Sequence, residues 1–93
     1  MKLYLVDYQE KTLLSVIITC SPRGEDVYNV WNVTNENNPF ITLHSCKVSI
    51  GLNIELDGYE PNSVSKYTKI KLTFIVSDDI DTFKESGFVI KGV

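Results

Sequence analysis

The chain has 93 residues, which leaves room for one domain, and a formal net charge of −3, which excludes a global positive field that would attract nucleic acid or an anionic membrane. Its hydrophobic content of 43% and charged content of 23% are those of a globular protein and exclude an extended disordered chain. No apolar run approaches the ~18 residues of a membrane span, and the first residues lack a signal-peptide pattern, so we expect a cytoplasmic protein with a single domain, 1–93.

Two apolar segments near the N-terminus, residues 2–8 and 12–20, predict an antiparallel hairpin with a polar connection. In residues 12–18 apolar side chains fall on both faces, which is typical of a strand covered on both sides. A chain this short has few other residues that could cover the second face of the strand. We therefore expect one face to lie in an interface with another molecule. The candidate interaction surface comprises Tyr4, Tyr8, Leu14, Val16 and Ile18.

The segment 22–34 is compatible with either a helix or a strand. Pro22, Glu25 and Asp26 are typical of a helix start. The Val, Tyr, Trp and Thr residues of the segment favour a strand, and its Asn and Gly residues are poor helix formers. The sequence leaves both assignments open.

The most regular pattern lies in residues 45–57, where apolar and polar residues alternate throughout. Alternation with a period of two predicts one strand with one face in water, bent or bulged at Gly51. In this strand Leu52 and Leu56 belong to the buried row.

Residues 67–77 alternate in the same way, and the turn formers between the two segments predict that they pair as a hairpin. Pairing the two exposed faces puts Glu55 opposite Lys69 and Ile54 opposite Ile70. Opposite charges would then meet on the exposed face.

Ser77, Asp78 and Asp79, followed by Ile80, Phe83 and Gly87, predict a short C-terminal helix near 79–86, and a last strand follows it at 88–90. The predicted fold is therefore β-rich α+β. It consists of a single antiparallel twisted sheet, either open or curled toward a barrel, with the short helix near 79–86 and a second helix at 22–34 as the open alternative.

Residues suited to catalysis or metal binding are few. An extended strand would put His44 and Cys46 on one side, with Cys20 at the end of another strand. A structural zinc ion usually takes four ligands. Burial among apolar side chains raises the pKa of a thiol and makes it unreactive. We therefore expect two buried thiols, no metal, no cofactor, no catalytic residue and no enzymatic activity.

A row of basic and aromatic residues, Lys47, Tyr67, Lys69 and Lys71, suggests a platform for single-stranded nucleic acid. The competing interpretation is a solvated strand face whose lysines discourage edge pairing. Because the chain is acidic overall, nucleic acid is not the expected partner.

These observations favour a small non-catalytic protein-binding module, an inhibitor or accessory factor. The eight Lys, one Arg and absence of Ala are typical of A+T-rich coding, which favours a phage or another mobile element and action in the host cytoplasm. A homo-oligomeric structural subunit is the alternative, and a single-stranded nucleic-acid-binding platform is the further one.

Overall fold

The computed structural model describes residues 3–22, 26–35, 37–62, 64 and 66–91. Within them the strands are β1 (Leu3–Asp7), β2 (Thr12–Cys20), β3 (Tyr28–Asn32), β4 (Ile41–Ile50), β5 (Ile54–Asn62), β6 (Lys66–Val76) and β7 (Val89–Lys91). A 3-10 turn, Ser77–Asp79, leads into the helix α1 (Ile80–Glu85).

The first six strands form a closed antiparallel barrel in which each strand pairs with its neighbours in the sequence. β1 closes the barrel because it pairs with both β2 and β6, so that Leu5 lies between Leu14 and Phe74. β7 runs parallel to the start of β2. Closure gives β1 and β6 partners on edges that an open sheet would expose. The prediction of a β-rich antiparallel fold with a short C-terminal helix is confirmed, and the sheet is a barrel.

Two apolar clusters stabilise this arrangement. The one inside the barrel is built on the buried residues Leu3, Val16, Val30, Leu43, Cys46, Leu56 and Phe74. The other lies on the outside of the wall and joins Tyr4, Val6, Leu13, Ile75 and Phe88 to Ile80, Phe83 and Ile90 of the C-terminal segment. The helix and β7 therefore cover one part of the outer surface and leave the rest of the wall open.

The N-terminal hairpin is confirmed, and the chain itself covers the inner face of β2 and the first part of its outer face, whereas Ile17 on the outer face stays exposed. Val16 is fully buried inside the barrel, and Leu13 is fully buried in the outer cluster with Phe88. The expectation that this strand lacks a second cover is wrong. The reason is that a sheet that closes on itself covers its own inner face, so only the outer face needs a helix.

In the described part of 22–34 the second helix considered there does not form. Residues 23–25 lie outside the described residues, and the remainder contains the strand β3. Ile18 pairs with Val30 and Ile17 with Trp31 across the β2–β3 ladder. The β-branched and aromatic residues thus find partners in the sheet, which outweighs the helix-start residues before them.

The predicted single strand at 45–57 is instead the end of β4, a turn and the start of β5. Ile50 pairs with Ile54, and residues 51–53 connect them. A connection with an odd number of residues keeps odd and even positions on the same faces in both strands, so the alternation continues through the turn. Leu52 is 99% exposed at the tip, which corrects its assignment to the buried row, whereas Leu56 is buried as predicted.

β5 and β6 form the predicted antiparallel hairpin, but the register differs by four residues. Ile54 lies opposite Phe74, not Ile70, because β5 continues to Asn62 through residues assigned to the turn. Ser63 and Ser65, in the connection, lie outside the described residues. Glu55 therefore lies opposite Thr73 instead of Lys69, and its Oε2 forms a diagonal ion pair with Nζ of Lys71 at 3.1 Å.

Candidate interaction surfaces

The candidate surface predicted around β2 is not assembled as an exposed face. Tyr4 and Val16 are buried, and Leu14 and Ile18 pack against the cluster inside the barrel. Tyr8 alone is well exposed, with its ring in edge-to-face contact with Phe88 at 5.9 Å between centroids. The accessible apolar residues lie elsewhere.

One group of accessible apolar residues lies on the outer face of the β2–β3 hairpin. Ile17 and Val33 are 44% and 36% exposed, and Trp31 is directly opposite Ile17 in the ladder. Together with Thr19 they line a shallow pocket of ≈ 290 Å³ beside Asn32. We call Ile17, Thr19, Trp31 and Val33 the tryptophan patch.

The indole of Trp31 is already satisfied within the patch, because Nε1 donates a hydrogen bond of 2.8 Å to Oγ1 of Thr19. A partner that covers the ring would therefore leave no unpaired donor buried. This bond also restricts rotation of the ring, and such restriction lowers the entropy lost on binding. The sequence did not single out this patch, because the conformation of residues 22–34 was open and no face could be assigned to Trp31.

The second surface contains all four residues of the predicted basic and aromatic row, which lie on the outer face of β4–β6. Asp57 pairs with Lys47 on one side and Lys71 on the other, Tyr59 pairs with Lys69, and Pro61 pairs with Tyr67. We call Lys47, Tyr67, Lys69 and Lys71, with Tyr59 and His44, the lysine–aromatic face.

Tyr59 and Tyr67 are 40% and 54% exposed, and the ring of His44 contacts that of Tyr67 at 5.6 Å between centroids. Glu55 and Asp57 lie among the lysines and offset most of their charge. The face is therefore rich in accessible rings but only weakly basic.

His44 and Cys46 lie on opposite sides of β4, not on one side as an extended strand would place them. A bulge between His44 and Lys47, with Ser45 in the left-handed region at φ 49°, shifts the alternation. His44 faces outward with Tyr59, whereas Cys46 is buried inside the barrel. The pair therefore does not form the arrangement that a thiolate nucleophile and its base require.

The two thiols differ in environment, and both are free. Cys46 is buried as predicted, and burial, helped by the charge of Asp57, raises the pKa of its thiol. Cys20 is exposed, which corrects the expectation of a second buried thiol, because it is the last residue of β2. The charge of the Cys20 thiolate, and a hydrogen bond to it, raise the pKa of the Tyr28 phenol.

Among the described residues, no group of three or more His, Cys, Asp or Glu side chains is placed to hold a metal ion. Within the same part of the chain, no helix is long and apolar enough to cross a lipid bilayer. Comparison with known family models, curated proteins and solved structures gives no match.

Proposed function

We propose that this chain is a non-catalytic protein-binding module that buries the tryptophan patch against a partner protein. The observation that carries the proposal is the half-buried Trp31 ring, which lines the pocket between the exposed Ile17 and Val33 on the outside of a barrel whose interior is filled by its apolar core. Tryptophan is among the residues that most often dominate the free energy of protein association.

The chemistry of the patch favours a protein over a small polar ligand. The pocket is shallow and its accessible surface is mainly apolar, without a charged side chain among its lining residues. Outside it, Asn29 and Thr42 form a neighbouring polar pair, joined by a hydrogen bond of 2.7 Å. An apolar centre with a polar margin is the usual composition of a protein interface.

The proposed role is that of an inhibitor or accessory factor of a phage or another mobile element, acting in the cytoplasm of its host. The A+T-rich coding pattern supports the origin. The two free thiols fit a reducing compartment.

The test begins with affinity capture from candidate host extracts by the unmodified protein, by Trp31→Ala and by Val64→Asp. Val64 is 93% exposed on the connection between β5 and β6, away from the patch, so it is a matched surface control. We expect a partner that Val64→Asp retains and Trp31→Ala loses. A partner set that is the same for all three proteins contradicts the proposal.

The captured partner is then purified and titrated. Trp31 is the only tryptophan of the chain, so its fluorescence reports on the patch. The signal is most direct when the partner's own tryptophans have been substituted or do not change their fluorescence on binding. We expect a blue shift on binding, and about a 30-fold or larger loss of affinity for Trp31→Ala, as for a residue central to an interface. Binding with full affinity by Trp31→Ala would exclude the patch.

Binding of single-stranded nucleic acid is the second candidate function, and the accessible rings of Tyr59 and Tyr67 beside Lys69 favour it. Bases stack on such rings without sequence preference. Anisotropy of labelled oligo-dT and oligo-U should show binding that weakens with salt, and that Tyr67→Ala reduces while Trp31→Ala does not. Absence of binding at low salt excludes this function.

A further inference from the structure

The turn between β4 and β5 exposes more apolar surface than a turn in water requires. Val48, Ile50 and Leu52 are 44%, 80% and 99% exposed. Turns usually carry polar residues at such positions, because nothing within the chain covers them. We call residues 48–54 the β4–β5 tip.

An apolar groove lies directly beside this tip. Residues 50–54 of the tip, Leu52 included, line one side, residues 74–76 of β6 line the other, and Asp79 completes the lining. Its volume is ≈ 300 Å³, and apolar atoms provide most of its accessible surface. This volume is at the lower limit for a small-molecule pocket and suits one or two aliphatic side chains.

We propose that two copies of this chain associate through this region, with Leu52 of each copy seated in the groove of the other. A two-fold interface uses the same surface of both copies, so that surface must contain both a projection and a matching recess. The tip supplies the projection, and the groove beside it supplies the recess.

The charges of the region support a second copy as the occupant. Residues 48–54, VSIGLNI, contain no charged side chain, although the chain has a net charge of −3. Two identical tips can therefore meet without repulsion between like charges of their own, and the one acidic residue that lines the groove, Asp79, lies outside the tip. Burying the exposed Ile50 and Leu52 supplies the favourable free energy.

This association goes beyond the proposed function, because the tip and the tryptophan patch have no residue in common. The interface is small and apolar, so we expect a dimer that dissociates in the micromolar range. Each dimer would present two tryptophan patches, which increases its apparent affinity for a partner that is itself repeated.

Sedimentation velocity over low to high micromolar concentrations tests the dimer with three variants. Leu52→Asp places a charge on the projection, and its full exposure means that the fold has no need of the leucine. Val64→Asp makes the same kind of change at the opposite end of β5, and Trp31→Ala removes the centre of the tryptophan patch. Circular dichroism verifies that all three remain folded.

The expected result is a concentration-dependent dimer for the unmodified chain, for Val64→Asp and for Trp31→Ala, together with a monomer for Leu52→Asp at every concentration. A monomeric unmodified chain overturns the proposal and leaves the tip free for a different partner. A dimer that survives Leu52→Asp, or that Trp31→Ala abolishes, also overturns it. A monomer, or a dimer that survives Leu52→Asp, leaves partner binding by the patch unaffected, so the two proposals fail separately. A dimer that Trp31→Ala abolishes would instead place the second copy on the tryptophan patch.

Discussion

Gly58 of β5 lies directly against Cys46 of β4, so closely that a Cβ atom on Gly58 would be 3.1 Å from both Cα and Cβ of Cys46. The same atom would be 3.0 Å from the backbone oxygen of His44. The close approach occurs where the bulge at Ser45 brings two residues of β4 opposite one residue of β5.

We therefore expect Gly58→Ala to lower the free energy of unfolding by about 1–3 kcal/mol, because backbone atoms must move to admit the methyl group. Gly51→Ala is the matched control. Its Cβ would meet nothing within 4 Å, and the chain there is not in the left-handed region, so stability should stay equal or rise slightly. Urea unfolding measures both, and equal losses would contradict the packing described.

The two leucines of the alternating segment should differ sharply. Leu56 is 1% exposed inside the barrel, so Leu56→Ala should cost about 2–5 kcal/mol of unfolding free energy. Leu52 is 99% exposed, so Leu52→Ala should change the stability of the monomer by less than about 0.5 kcal/mol. Thermal unfolding at low protein concentration distinguishes the two variants. Similar losses of stability would support the single continuous strand at 45–57 that the sequence predicted.

Stability should fall at alkaline pH, and part of the fall should come from Cys46. Its folded pKa is raised by burial, so the unfolded chain loses its proton first as the pH increases. The contribution is complete below the usual thiol pKa of ~8.5 and is lost as the pH rises through the raised value. Urea unfolding at a series of pH values should show a smaller alkaline loss for Cys46→Ala. The raised pKa of Tyr28 acts in the same direction at still higher pH and persists in that variant.

Thiol labelling provides an independent measurement on the same residue. Cys20 is exposed and should react with an alkylating reagent in the native protein, whereas Cys46 should react only after unfolding. Equal rates at neutral pH would show that the barrel opens at β4.

Ser15→Ala should stabilise the protein by an amount on the order of 1 kcal/mol. Ser15 is 5% exposed, and among the described residues its Oγ has no hydrogen-bond partner. Replacing the hydroxyl by hydrogen removes the cost of burying an unpaired polar group. Ser49→Ala, at an exposed position of β4, is the control and should leave the melting temperature unchanged. Destabilisation by Ser15→Ala would mean that the hydroxyl has a partner in solution.

The sequence located most of the secondary structure but not the ends of the strands around Gly51. Hairpin β1–β2 and helix α1 were predicted because each has its own local signal, a polar connection in one and Gly87 at the end of the other. The turn at 51–53 was missed because alternation does not reveal a turn that preserves the faces of both strands.

The sequence likewise predicted part of one candidate surface correctly and another surface wrongly. Of the lysine–aromatic face the sequence predicted Tyr67, Lys69 and Lys71, which alternate along β6, and Lys47, which lies on β4 beyond the intervening β5. It did not predict His44 or Tyr59 as members of that face. The surface proposed around Leu14, Val16 and Ile18 was wrong, because an apolar face indicates that something covers it without indicating whether the cover is the same chain.

By itself the sequence determined that the chain is β-rich and antiparallel, with a short C-terminal helix, because periodicity and turn residues act over neighbouring positions. Only the tertiary structure decided that β1 pairs with β6, that Val16 is inside and that Trp31 and Leu52 are outside. These outcomes depend on closure of the barrel between the two ends of the chain. Closure is a pairing between distant segments, and no local pattern encodes which strand will occupy an open edge.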